Sequence, residues 1–344
     1  MGSHPGLAVA QGRFTELRGR VVVITGASSG IGRATARAFA ECGARLVLAA
    51  RNAEALRETA YLCAGAGVHT LVVPADVTDA DAMAELARKS VDAFGRIDVW
   101  INNAGVGLFG PFTNAGVAEH RRVVEINLFG TMNGAAAVLP RFLAQGHGVL
   151  ITNISIGGFV PVPFAAAYTA GKFGMRGFMA ALRQEVADTP GIRLCSVFPG
   201  VIDTPGYQHG RNVSGKLLKP GPPIYPPEKV AAAMVELALR PQDELSIGWP
   251  TRLAKIGYGL APRTTERVAG VFFRGYLKRA EEAPRRAGNL FAPSSGRMTA
   301  DGGWRAGPRR LRRRDRLGRS LAWAGLAGVG VALVAANLAR PQRA

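Results

Sequence analysis

The chain has 344 residues, with 43 Lys and Arg against 24 Asp and Glu, and a net charge of +19. That length allows one large α/β domain with appendages and ample material for a buried core. Cys42, Cys63 and Cys195 are odd in number and widely spaced, which excludes a disulfide framework or a cysteine metal site and suits a reducing compartment.

Taken in chain order, the opening GLAVA run is too short for a secretory signal and lacks a charged segment before it. Gly6 stands where a myristoylation pattern needs Ser or Thr. Residues 1–15 are accordingly expected to be a flexible leader. From Arg20 to about Gly248, apolar β-branched runs alternate with helical stretches. Residues 21–25, 45–50, 70–75, 98–102, 148–155 and 192–198 read as strands buried on both faces. Strand–helix alternation with short connections predicts a doubly wound parallel sheet, with its ligand along the strand C-terminal edge. Residues 251–283 read as one or two amphipathic helices, and 284–319, rich in Gly, Pro, Ser and Arg, as a flexible linker.

Two clusters carry chemistry. Gly26, Gly30 and Gly32 follow the first strand directly and open a helix near Ile31. Glycines there permit a tight turn, and the helix N-terminus offers N–H donors and positive dipole to a pyrophosphate. After the second strand, Ala50 stands where an acid would bind a ribose hydroxyl, and Arg51 follows it. With Arg33, Arg51 can pair with a 2′-phosphate, which favours NADP(H) over NAD(H). A solvated surface arginine is the plainer alternative.

The second cluster is Tyr168 and Lys172, one helical turn apart, with Ser155 thirteen residues before Tyr168. A phenol, a nearby ammonium and a second hydroxyl can together hand a proton to a carbonyl oxygen, the complement of hydride transfer. The same Tyr-x3-Lys spacing recurs at Tyr225 and Lys229, but Pro226 and Pro227 intervene and suit only a helix start. Asn212 stands thirteen before Tyr225, where the first pair has its hydroxyl. Only the first pair is expected to do chemistry.

TGASSGIG at 25–32, NNAG at 102–105, Asn127, Ser155, Tyr168-x3-Lys172 and FPG at 198–200 together resemble the short-chain dehydrogenase/reductase family over roughly residues 16–250. The resemblance implies a single Rossmann-type domain and assigns Asn127, Ser155, Tyr168 and Lys172 as the catalytic set. Tyr168 would be the acid in reduction and the base in oxidation. Lys172 would lower its pKa and hold the nicotinamide ribose, Ser155 would bond the substrate oxygen, and Asn127 would support a water relay to Lys172. The resemblance places the cofactor on Gly26, Ser28, Ser29, Gly30, Ile31, Gly32, Arg51, Asp76, Val77, Asn103, Ala104, Gly105, Tyr168, Lys172, Pro199, Gly200 and Thr204, with Asn102 beside them. Asn127 as a helix kink or cap, and Asp76 as a turn residue, stay open from the residues alone. No metal is expected.

Substrate contacts are expected from the loop 203–226 and from an apolar wall of Phe109, Phe112, Phe159, Val160 and Phe164, favouring a small, lipophilic carbonyl or alcohol. A homo-oligomer is plausible from the family. Residues 320–339 run twenty residues without a charge, long enough at about 1.5 Å per residue to span a bilayer. Eight Arg and one Asp in 305–319 precede them, against two Arg afterwards, which predicts a single-pass tail anchor with the catalytic domain in the cytoplasm. Two other functions compete: a non-catalytic NADP(H)-binding membrane scaffold or sensor, and a nucleic-acid binder. The second is disfavoured because no aromatic platform flanks the arginines.

Overall fold

The computed structural model describes residues 14–305. Among the described residues there are nine strands: β1 (Val21–Thr25), β2 (Arg45–Ala50), β3 (Thr70–Pro74), β4 (Val99–Asn102), β5 (Leu108–Phe109), β6 (Gly148–Asn153), β7 (Ile192–Pro199), β8 (Arg211–Asn212) and β9 (Glu244–Ile247). Seven of them form one parallel sheet in the order β3-β2-β1-β4-β6-β7-β9, and β5 pairs with β8 beside it. The six strands expected from hydrophobic runs are all present. The seventh, β9, has only four residues, alternating polar and apolar, and owes its place to pairing with β7.

Ten α-helices accompany these strands among the described residues: α1 (Gly30–Glu41), α2 (Ala53–Ala64), α3 (Ala80–Phe94), α4 (Val117–Val124), α5 (Gly130–Gln145), α6 (Ala166–Glu185), α7 (Gly206–His209), α8 (Pro227–Leu239), α9 (Trp249–Leu260) and α10 (Pro262–Arg279). The doubly wound form follows from the period-two rule. Val21 and Val23 of β1 enter one core with Met83 and Leu86 of α3, whereas Val22 and Ile24 enter the other with Phe39 of α1 and Met234 of α8. Strand succession reverses at β1, running outward through β2 and β3 on one side and through β4, β6 and β7 on the other, so the C-terminal ends of β1 and β4 open the crevice where such sheets bind ligands.

Gly32 shows why a glycine must start α1. A Cβ there would lie 2.2 Å from the Gly26 carbonyl oxygen, so no side chain fits between turn and helix. At the other end of the domain, α9 and α10 form the two amphipathic helices expected over 251–283 and lie across the strand ends.

The described part of the expected linker behaves otherwise. Residues 284–305 have no helix or long strand, yet they are bonded to the domain throughout. Arg286 bridges Asn212 in both directions, Leu290 is buried, and Gly302, Trp304 and Arg305 donate backbone N–H bonds to the Asp203 carboxylate. Composition argued for flexibility, but backbone groups need no particular side chain to bond. Among the described residues no helix is long and apolar enough to cross a membrane, and 320–339 lies outside them.

Candidate active site

The floor of the site is a set of hydrogen bonds tying three strand ends together. Thr25 at the end of β1 accepts on Oγ1 from the backbone of Asn103 and Ala104, at 3.0 and 3.2 Å. The Asn103 amide donates to the Thr25 and Gly26 carbonyls and accepts from Asn153 at the end of β6. Lys172 on α6 then donates to the Asn153 carbonyl at 3.3 Å. Asn103 lines the cavity, and its side chain ties the neighbouring strand ends together. Asn102 does not line it: its amide is buried against Trp100 and the Thr131 carbonyl.

Ser155, Tyr168, Lys172 and Asn127 all reach this floor. Ser155 hydrogen-bonds the Tyr168 hydroxyl, and the Lys172 Nζ lies 5.6 Å from the Tyr168 ring centroid. Burial pushes the Tyr168 phenol up from its ordinary value, and the Ser155 bond works in the opposite direction. Burial brings Lys172 down to about 7. The sequence expectation that Lys172 lowers the phenol is thus incomplete: in the protein alone, desolvation opposes charge on both groups. Ser155 itself has φ 152° and ψ 165°, a region left almost entirely to glycine. Two bonds hold it there: its Oγ accepts from Gly157 at 3.1 Å, and its carbonyl accepts from Gly158 at 3.0 Å.

Asn127 sits in a π-helical turn, Glu125–Phe129, between α4 and α5. Such bulges collect at functional sites because the extra residue re-aims a side chain. Its Nδ2 donates to the Val106 and Val123 carbonyls, whereas its buried Oδ1 has no partner among the described residues. A Cβ on Gly105 would meet that Oδ1 at 2.9 Å and the Lys172 Nζ at 3.7 Å, so this glycine keeps the space between them open.

One cavity of about 730 Å³ joins all these groups. Gly26, Ser28, Ser29, Gly30, Ile31, Arg51, Asp76, Val77, Asn103, Ala104, Gly105, Pro199, Gly200 and Thr204 line it. Gly32 does not; its role is the close packing of α1 on the turn. Asp76 accepts from the Thr78 N–H and hydroxyl and pairs with Arg122 at 2.7 Å and Arg51 at 4.0 Å. Burial would raise this carboxyl, but those bonds and charges hold it below its usual range.

The expected apolar wall needs correction. Phe109 and Val160 line the cavity, but Phe159 is buried on Phe198 with rings 4.0 Å apart, and Phe112 is exposed and stacked on His120. Phe164, at φ 63°, packs on Phe109 outside the lining. In their place stand Leu253 of α9 and Val268, Phe272, Phe273 and Tyr276 of α10, with Tyr207 and Leu218 from the loop 203–226. The Tyr276 hydroxyl ties that loop to α10, accepting from the Lys219 N–H at 2.8 Å.

The model for short chain dehydrogenases matches residues 20–212, more than half of the chain. The chain belongs to the short-chain dehydrogenase family. It is 34% identical over 261 residues to an uncharacterized oxidoreductase, YxnA, of Bacillus subtilis, covering 74% of this chain and 73% of that protein. A metagenomic short-chain oxidoreductase solved with NADP superposes with a TM-score of 0.57 at 33% identity, covering 67% of this chain and 97% of the other. An alcohol dehydrogenase from Thermococcus sibiricus, solved with 5-hydroxy-NADP, gives 0.58 at 29% identity, covering 66% and 95%.

As a member of this family the chain is an oxidoreductase, and its residues fit a nicotinamide dinucleotide. The open acceptor on Asn127, the space kept by Gly105 and the cationic Lys172 suit a polar, hydroxyl-rich group at the floor. Serines and arginines suit phosphate at the other end. Sequence reading passed over the α9 and α10 lining. Thr265, Val268, Ala269, Phe272 and Tyr276 recur at helical spacing, so the apolar face was visible, but not what it faced.

Proposed function

We propose that this short-chain dehydrogenase is an NADP(H)-dependent oxidoreductase that interconverts a lipophilic ketone and its secondary alcohol. The observation that carries the reading is the Tyr168 hydroxyl bonded to Ser155 beside a buried Lys172, at the end of a cavity whose outer wall is aliphatic and aromatic. The cofactor would supply or accept the hydride. Tyr168 moves the proton at the substrate oxygen, and Ser155 donates to that oxygen as charge develops on it. Lys172 holds the ribose end and, once protonated, favours the phenolate. The α9 and α10 side chains exclude water from the reacting carbonyl.

NADP(H) is the preferred cofactor in this reading because Arg51 lines the adenosine end of the cavity, Arg33 stands behind it bonded to Glu58 and the Met298 carbonyl, and no acid directly follows β2. NADPH should give a kcat/KM at least about tenfold above NADH on a panel of hydrophobic ketones, and Arg51→Ala should erode the difference. Preference for NADH in the unaltered enzyme would overturn it.

Residues 320–339 are proposed as a single-pass tail anchor that leaves the catalytic domain in the cytoplasm, on the strength of their uncharged length and the arginines before them. Truncation after Arg305 keeps every described contact. It should move the protein from the membrane fraction to the soluble fraction with activity on a small ketone retained. Release of the full chain by alkaline carbonate would sink the anchor.

A further inference from the structure

The segment 286–305 lies outside the residues matched by the family model and crosses the adenosine half of the cavity from one rim to the other. Its start is pinned by the Arg286 bridge to Asn212. Gly288, at φ 68°, passes so close to β8 that a Cβ would lie 2.4 Å from the Arg211 nitrogen. Leu290 is then buried to 1% exposure in the same core as Val77 and Val106.

From there the backbone faces the groups expected to meet phosphate. The Arg51 guanidinium donates to the carbonyls of Asn289 and Leu290, at 2.5 and 3.1 Å. Arg33 donates to the Met298 carbonyl, and the Gly30 N–H at the start of α1 donates to Thr299 at 2.9 Å. The end is latched on Asp203, buried to 2% exposure, which accepts three backbone N–H bonds at 3.0 Å.

Two roles are compatible with these bonds: filling the cofactor's seat, or roofing it. The cavity decides between them. Asn289, Pro293, Ser294 and Met298 line the same space as Ser28, Arg51 and Asp76, so open volume lies between segment and floor. The bonds to Arg51, Arg33 and Gly30 are made by backbone carbonyls that need no particular side chain, and they must break where the cofactor takes those donors.

We propose that residues 286–305 are a latched cover over the adenosine half of the cofactor site, which must open for a 2′-phosphorylated dinucleotide to enter or leave. The proposal rests on the NADP(H) reading above. A cover of this kind slows exchange in both directions and gains protection when the cofactor sits beneath it.

The test measures NADPH association and dissociation by fluorescence in stopped flow, using the full chain and the variants Asp203→Asn and Leu290→Ala. Both variants should dissociate NADPH at least about tenfold faster and also associate faster, since opening limits both steps. Dissociation rates within twofold of the unaltered chain would overturn the cover. A variant that binds faster and tighter with unchanged dissociation would also overturn it, by showing that the segment competes with the cofactor. Amide hydrogen exchange on the unaltered chain gives an independent reading that no folding defect can obscure. Exchange at Gly302, Trp304 and Arg305 should slow when NADPH is added, and faster exchange would mean displacement. Absence of any NADPH binding by the unaltered chain would remove the cofactor reading itself and this proposal with it.

Discussion

Tyr168/Lys172 and Tyr225/Lys229 share one spacing and have opposite surroundings. In the first pair the Lys Nζ lies 5.6 Å from the ring centroid; in the second it is nearer, at 4.7 Å. The closer cation belongs to the pair that stands outside the cavity. Tyr168 stands inside α6, bonded to Ser155 and facing the cavity, and Lys172 is buried to 5% exposure. Tyr225 precedes α8, whose N-cap is Pro226, and Lys229 is exposed on its first turn. A cation in water is screened and polarises a phenol little; one removed from water is harder to charge, but once protonated it acts far more strongly on the group it reaches. Spacing alone therefore says little, and desolvation with a hydroxyl partner separates the two.

The largest effect should come from cutting the phenols. Tyr168→Phe is expected to lower kcat by roughly 10²–10⁴, the usual worth of a positioned acid/base, and Tyr225→Phe to leave it within about twofold. Equal losses in the two variants would erase the distinction.

Lysine replacement sharpens the contrast through pH. Lys172 has an ordinary value of 10.5 and sits at about 7 in the fold, because burial disfavours its charge. Between those values the unfolded chain binds the extra proton, so this site's contribution to stability rises with pH. Its cost is full below about pH 7 and gone above about 10.5. Lys172→Met should abolish most turnover yet raise the melting temperature at pH 6, with the gain shrinking toward pH 10. A gain independent of pH would contradict the buried-charge account. Lys229→Met should show neither behaviour.

Ser155 tests the third member of the first pair's surroundings. Ser155→Ala should cost roughly 10²–10³ in kcat, as loss of a donor to a developing oxyanion does. Ser155→Gly should be equally inactive but more stable than Ser155→Ala. Relief of a backbone cost of order 1–3 kcal/mol exceeds the roughly 0.5–1 kcal/mol entropic penalty of glycine. Thermal unfolding of the two variants checks this, and a less stable glycine variant would show that φ 152° carries no strain.

The smallest effect is expected at the second pair. Lys229→Gln removes the exposed cation over the half-buried Tyr225 ring, a contact worth about 0.5–1 kcal/mol, and should shift Tm by a few degrees at most with kcat unchanged.

Particular residues show how far the chain could be read as a string. Gly26, Gly30 and Gly32 after VVVIT, and Tyr168 one turn before Lys172, were legible because local geometry sets both patterns. A turn that leaves no room for a Cβ at Gly26 and Gly32, and turns through φ 57° at Gly30, demands glycine, and a helix brings i and i+4 together whatever surrounds it. The parallel sheet was legible for the same reason, since strands buried on both faces must be apolar throughout.

Tertiary structure alone decided three other matters. It chose Phe109 for the cavity and Phe159 for the core, because both are aromatic and only packing distinguishes a lining ring from a buried one. It set α9 and α10 over the cavity that holds Tyr168, because an amphipathic face does not name its partner. It drew the polar, glycine-rich stretch 286–305 across the Arg51 end of the cavity, where Arg51, Gly30 and Asp203 bond its backbone. Those carbonyls and N–H groups are the same in every residue of the chain, so nothing in the side-chain pattern could mark them.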